Sequence, residues 1–381
     1  LPDNPRRASL ARMSGAADIE NRRSLERWLE DRPREDAVII AHRAAMRVLP
    51  VLTDWLIEFG KGDLTELPVL RCLLASMVAG KRPSYETKSA TADAITGSVV
   101  VATEVENAIA DAAASAAAAA ARASIRSKAR IATRPAVRHA FFATDHAVAL
   151  KCSRADAQGI EFGETPHSQP LWHDEPNPLD EQWQTTRRTW ASRGPGWQFW
   201  IDWYEDALGG REPNWEMLRD IALIAPETWD AGPDALNAEI MRITEKHSLL
   251  EEIRALKAER ARLVENAAAP AHRGHNEPPE LIEAPVEVAR ELTVVWTSLD
   301  EAERELEKAQ PDLSRLQRIA NALKAAVGQV AAYCGKVGDR AVMAGAGAFG
   351  TGAGTLLLDH FFTSGRLMDF ATRLLQFAVG G

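Results

Sequence analysis

From residue 18 onward, apolar positions recur at the three- and four-residue spacing of amphipathic helices. Leu25, Trp28 and Leu29 predict a first helix. A second follows Pro33 through Ala37, Ile40, Ala41, Ala44, Val48 and Leu52, with a kink expected at Pro50. The segment from Gly60 to Asp63 interrupts the pattern, and Leu67 to Val78 predicts a third helix that Gly80 and Pro83 end. Residues 84–151 are dominated by alanine, with no proline between Pro83 and Pro135. Alanine is the strongest helix former, so closely packed helices are expected here. Val99, Val100 and Val101 fit a strand equally well by propensity, but no second strand is visible to pair with them, so helix is predicted there too.

Eight of the eleven tryptophans lie between Trp172 and Trp229. Trp183, Trp190 and Trp197 are seven apart, and Trp197, Trp200 and Trp203 three apart. At helical spacing, such rings predict interhelical packing, with an aromatic binding surface at Trp197, Trp200, Trp203 and Tyr204 as the functional alternative. Gly194-Pro195-Gly196 separates two helices, Gly209-Gly210 ends the second, and Pro213 and Pro226 open two more. A long amphipathic helix is predicted over 234–265. A Pro-rich joint follows it, and then two helices over 286–308 and 312–336, split at Pro311, that suit an antiparallel hairpin. The fold class is all-α. The expected organisation is a disordered stretch over 1–17, a helical body over 18–267 (Ala-rich helices 84–151, Trp-rich module 166–232), a linker over 268–285 and a C-terminal helical module over 286–381.

The run from Trp197 to Gly210 (WQFWIDWYEDALGG) and that from Pro226 to Ile240 (PETWDAGPDALNAEI) resemble a signature of uncharacterised proteobacterial proteins with Ala-rich helices upstream. The resemblance covers roughly residues 18 to 243. It implies a helical fold and assigns no catalytic residue. Ala207 stands where those proteins often carry arginine. The string from Gly274 to Glu280 is similar to one that precedes C-terminal helical modules in alphaproteobacterial proteins.

Composition changes this picture little. Apolar residues make up 46% and charged residues 26% of 381, which suits packed modules rather than disorder. The net charge of -9 argues against a nucleic-acid partner. Residues 122–151 are basic and 161–182 acidic, a division that predicts pairing between neighbouring surfaces. Cys72, Cys152 and Cys334 lack metal-like spacing and are expected to be buried thiols in the cytoplasm. No apolar leader is visible near Arg6, Arg7 and Arg12, and Met13 is a candidate start.

Candidate chemistry is sparse. Gly345, Gly347 and Gly350 have dinucleotide-loop spacing and Asp369 follows, but a helix precedes them and too few residues follow for a βαβ unit, so no cofactor is expected. Residues 341–358 form an uncharged run at the short limit for a bilayer span. Ala346, Gly350 and Gly354 make a small-residue stripe there that would let helices approach in lipid or within a bundle. The last segment places Leu367, Phe370 and Leu374 on one face, suited either to capping a bundle or to an inner-membrane interface over 341–378. His167, His173, Asp174 and Glu175 are the one His–carboxylate cluster that invites a metal. Four prolines make it an extended loop, so a polar surface loop is expected and no metal. His247 and Glu251 read as an ordinary helical pair.

These features point to a non-enzymatic effector or assembly protein, with a sensing body that restrains an oligomerising or membrane-touching tail. Toxin-like or antiphage roles are a fitting context for such a design. A soluble scaffold that binds a protein partner through the Trp-rich module is the first alternative, and an enzyme with a dispersed site near His173 the second.

Overall fold

The computed structural model describes residues 15–60, 65–126, 129–268, 286–345 and 365–380. Most of the predicted N-terminal extension and linker lies outside these residues, as do Ala346, Gly350 and Gly354. Fifteen α-helices and no strand occur among the described residues, so the valines at 99–101 lie within a helix. The chain divides into two compact units, residues 1–241 and 242–381.

The first unit is built around two helices, α2 (Arg34–Phe59) and α5 (Ala108–Ile125). Helix α5 is buried around most of its circumference because its alanines, from Ala110 to Ala123, let neighbours approach on nearly every side. Those neighbours are α2, α3 (Leu67–Lys81), α4 (Tyr85–Glu104) and α6 (Ala129–Phe142). Gly80 of α3 permits a close approach to α2, since a Cβ there would lie 2.6 Å from Val38 Cγ1. Local sequence sets the helix starts. Asn21 caps α1 (Arg22–Trp28), and Ser84 and Asn107 cap α4 and α5 by accepting first-turn N–H bonds. Asp145 does the same for α7 (His146–Glu161), accepting from Val148 N at 3.0 Å. Pro50 sits inside α2, which continues for 26 residues across it.

The Trp-rich segment folds as α8 (Asp180–Ser192), α9 (Gln198–Gly209), α10 (Trp215–Ala222) and the single turn α11 (Pro226–Asp230). Its rings meet edge to face or tilted. Trp183 and Trp190 lie 6.0 Å apart at 81°, Trp200 and Trp203 5.8 Å apart at 83°, and Trp183 is 4.4 Å from Tyr204. Helix α9 ends at Gly210 (φ 67), where a Cβ would lie 2.4 Å from Pro170 N, so only glycine fits both the left-handed cap and the loop crossing it.

Helix α12 spans Pro233–Ala268, and the division between units falls within it rather than at the Pro-rich linker. The reason is the helix's apolar register. Leu249, Leu250, Ile253 and Leu256 share a core with α13 (Val286–Leu306), α14 (Leu313–Gly345) and α15 (Arg366–Gly380), giving the second unit four helices. An ionic ladder runs beside that core. Glu245, Glu252 and Glu259 recur every seven residues on α12, while Arg366 and Arg373, also seven apart, answer from α15. Arg373 pairs with Glu245 and Glu252, and Arg366 with Glu259, so the two helices run antiparallel in a single register.

Candidate functional site

The feature of the first unit least like ordinary packing is a polar network under α2. Arg43 and Arg47 stand one turn apart in the middle of this helix and are almost fully buried, as is Asp156 of α7. Arg43 Nε donates to Asp156 Oδ1 and Arg47 Nη2 to Asp156 Oδ2, each at 2.7 Å. Arg43's other two guanidinium nitrogens and Arg47 Nε are turned on the loop that follows α7, while Arg47 Nη1 has no hydrogen-bond partner among the described residues. Arg43 donates to the carbonyls of Pro166 (2.6 Å), Gln169 (3.0 Å) and Pro170 (2.7 Å), and Arg47 Nε to that of Leu171 (2.9 Å). His173, at the unusual φ of 51°, places Nε2 2.8 Å from Asp156 Oδ1. Burial alone would raise the Asp156 pKa. Arg43 and Arg47, with the His173 hydrogen bond, outweigh it and hold the carboxyl well below the ordinary carboxylate range. Four backbone carbonyls and one carboxylate thus fix the course of the loop.

That loop delivers His167 to a cleft. The cleft encloses about 390 Å³ between the start of α2, the end of α3 and the turn after α7. Val38, Ile39, Met77 and Ile160 supply apolar wall; Glu35, Asp36, Lys81 and Glu164 supply charge; His42 and His167 line it as the two most deeply buried polar side chains. The imidazoles lie 5.6 Å apart, and His167 meets Trp215 edge to face at 5.2 Å.

Hydrogen bonding selects the tautomer of His42. Ser76 has one hydroxyl proton, and its Oγ lies 2.7 Å from the Leu73 carbonyl against 3.3 Å from His42 Nδ1. The proton therefore goes to Leu73, His42 Nδ1–H donates to Ser76, and His42 Nε2 carries a lone pair. Both rings are held neutral. Burial, His167 and Arg43 push the His42 pKa well below its ordinary value, and burial, Arg43 and Lys81 lower that of His167 to about 3. Neither ring nitrogen of His167 has a hydrogen-bond partner among the described residues.

The polar surface loop expected around His167 and His173 is therefore corrected. Both residues turn inward, because the buried guanidiniums of α2 need acceptors and the loop supplies them. They do so to different neighbours, Asp174 stays exposed, and no group of potential metal ligands converges among the described residues. Trp197, Trp200, Trp203 and Tyr204 are brought together, but in the interior, none more than 6% exposed, so they offer no binding surface. Leu367, Phe370 and Leu374 are fully buried in the four-helix core, the bundle-capping alternative for the last helix. No described helix is long and apolar enough to cross a membrane. Cys72 and Cys152 are buried thiols, and burial raises both pKa values, that of Cys72 to about 12. Of the basic and acidic stretches expected to pair, Lys151 meets Glu175 at 3.2 Å, whereas Arg134 pairs with Glu30 and Glu161 with Arg32.

His42, Arg43, Arg47 and Asp156 were not singled out from the sequence. Two arginines four apart within the largely apolar stretch from Ala37 to Leu52 were the available signal, since such a pair must either reach solvent or find a buried acid. Compared with known proteins, the chain matches no family model, no curated protein and no solved structure.

Proposed function

We propose that this chain acts by binding rather than by catalysis, as a sensing or effector protein. Its N-terminal unit takes a small ligand in the His42–His167 cleft, and its C-terminal four-helix unit is the assembly or output half. One observation carries the reading: two buried, neutral imidazoles wall an open cleft, and the loop presenting one of them is anchored by a buried Arg–Asp network. Such a wall is pre-organised, and its polar atoms are few and fixed, as in small-molecule sites generally. Catalysis is less well served. The hydroxyl bonded to His42, that of Ser76, gives its proton to Leu73, and the thiols of Cys72 and Cys152 are buried with raised pKa values.

The test is a thermal-shift screen of a metabolite collection against the parent protein and His167→Phe, which fills the wall with an apolar ring of similar size. Ligands that raise the melting temperature of the parent and not of the variant are expected. A screen in which every stabilising compound acts equally on both proteins would overturn the cleft as the binding site.

A further inference from the structure

The cleft's charges are unevenly compensated. Lys81, its one cation, has its Nζ 5.4 Å from the ring of Trp215, and it adds to the Ser168 and Trp215 hydrogen bonds that lower the pKa of Glu212. The acids lack equivalent partners. Asp36 forms no hydrogen bond or ion pair among the described residues, and its cationic neighbour Arg32 is already paired with Glu161. Glu35 has a long ion pair with Arg34, at 3.7 Å, and is the better compensated of the acids. The Glu164 side chain has no cationic partner within the described residues.

The second observation is independent of these acids. His167 is only 8% exposed, lines the cleft and has both ring nitrogens unbonded, while His42 keeps a bare acceptor at Nε2. These ring nitrogens are not sealed in the interior but open onto the cleft, where a ligand donor can reach them. A positively charged N–H donor fits both features, because it satisfies an imidazole lone pair while its charge is offset by three carboxylates that outnumber Lys81 in the same cleft.

Resting on the binding reading above, we propose that the cleft is a site for a small organic cation: a primary ammonium on a short apolar body. The ammonium lies among Asp36, Glu35 and Glu164 and donates to an imidazole nitrogen, and the body rests on Val38, Ile39, Met77 and Ile160.

Three probes of one length separate the classes: hexylamine, hexanoate and hexanol, titrated calorimetrically into the full chain. Hexylamine is expected to bind at least about tenfold more tightly than either other probe. Raising the salt concentration should weaken it. Asp36→Asn combined with Glu164→Gln should reduce its affinity about fivefold or more while leaving the melting curve close to that of the parent. Should that pair destabilise the fold, Glu164→Gln alone, at an exposed position, keeps the question open to measurement. Hexanoate or hexanol binding as well as hexylamine, with loss in His167→Phe, would overturn the cationic class and leave the cleft standing as a site. Failure of all three to bind would overturn the cationic class, and the broader screen then decides the cleft itself.

Discussion

Removing the Asp156 carboxylate is the most severe single perturbation the N-terminal unit offers. Asp156→Ala deletes the acceptor of three hydrogen bonds, from Arg43 Nε, Arg47 Nη2 and the His173 ring, and leaves two guanidiniums with side chains 3% and 2% exposed facing each other. Breaking a buried ion pair by removing one partner costs about 3–5 kcal/mol, because the charge left behind is uncompensated. Against a total stability of about 5–15 kcal/mol for a folded domain, that is a large fraction. Ten of the eleven tryptophans precede residue 242, Trp296 being the exception, so urea unfolding followed by tryptophan fluorescence reports mainly on this unit. With a urea slope of roughly 2 kcal/mol/M, the midpoint should fall by about 2 M. Asp156→Asn, which keeps an acceptor for Arg43 but turns an amide N–H toward Arg47, should lie between parent and Asp156→Ala. A midpoint within about 0.3 M of the parent in Asp156→Ala would refute the claim that this network holds the loop.

Two further outcomes follow from the same structure. Since His167 titrates near 3 in the fold against 6.5 ordinarily, the unfolded chain takes up its proton first as pH falls. Its stabilising effect is complete above 6.5 and is lost as pH falls from there toward 3; urea midpoints measured from about pH 7 to pH 4 should therefore decline less steeply in His167→Phe than in the parent. In the second unit, Phe370→Ala should cost about 3–5 kcal/mol through the cavity it leaves in the four-helix core, whereas Arg373→Met, breaking partly exposed pairs, should cost about 1 kcal/mol or less, as read from helical circular dichroism.

Periodicity carries most of the architecture. Ala37, Ile40, Ala41 and Ala44 marked the buried face of α2, and the alanine run around Ser115 marked a helix that others pack against closely. The turn glycines and prolines between Trp190 and Trp229 placed the breaks of the Trp-rich module within a residue or two. The site was less legible because its chemistry is long-range. Asp156 lies 113 residues from Arg43 and 109 from Arg47, and no local pattern links them. The prolines at 166, 170, 176 and 178 read as a surface loop, yet the carbonyls of residues 166, 169, 170 and 171 are what two buried guanidiniums require. The unit boundary was misplaced for a related reason: the Pro-rich stretch is the conspicuous break, while Leu249, Ile253 and Leu256 on an unbroken helix decide which core α12 joins.

Whether two neutral imidazoles form the wall of a ligand site can be read from the ring-nitrogen NMR signals of His42 and His167. These are assigned by loss in His42→Gln and His167→Phe and followed as hexylamine is added at neutral pH. The account predicts neutral-imidazole patterns for both residues in the free protein, with His42 protonated at Nδ1, and a saturable shift of at least one unprotonated ring nitrogen. Imidazolium patterns in the free protein, or ring signals unmoved by amine concentrations that shift the melting temperature, would contradict it.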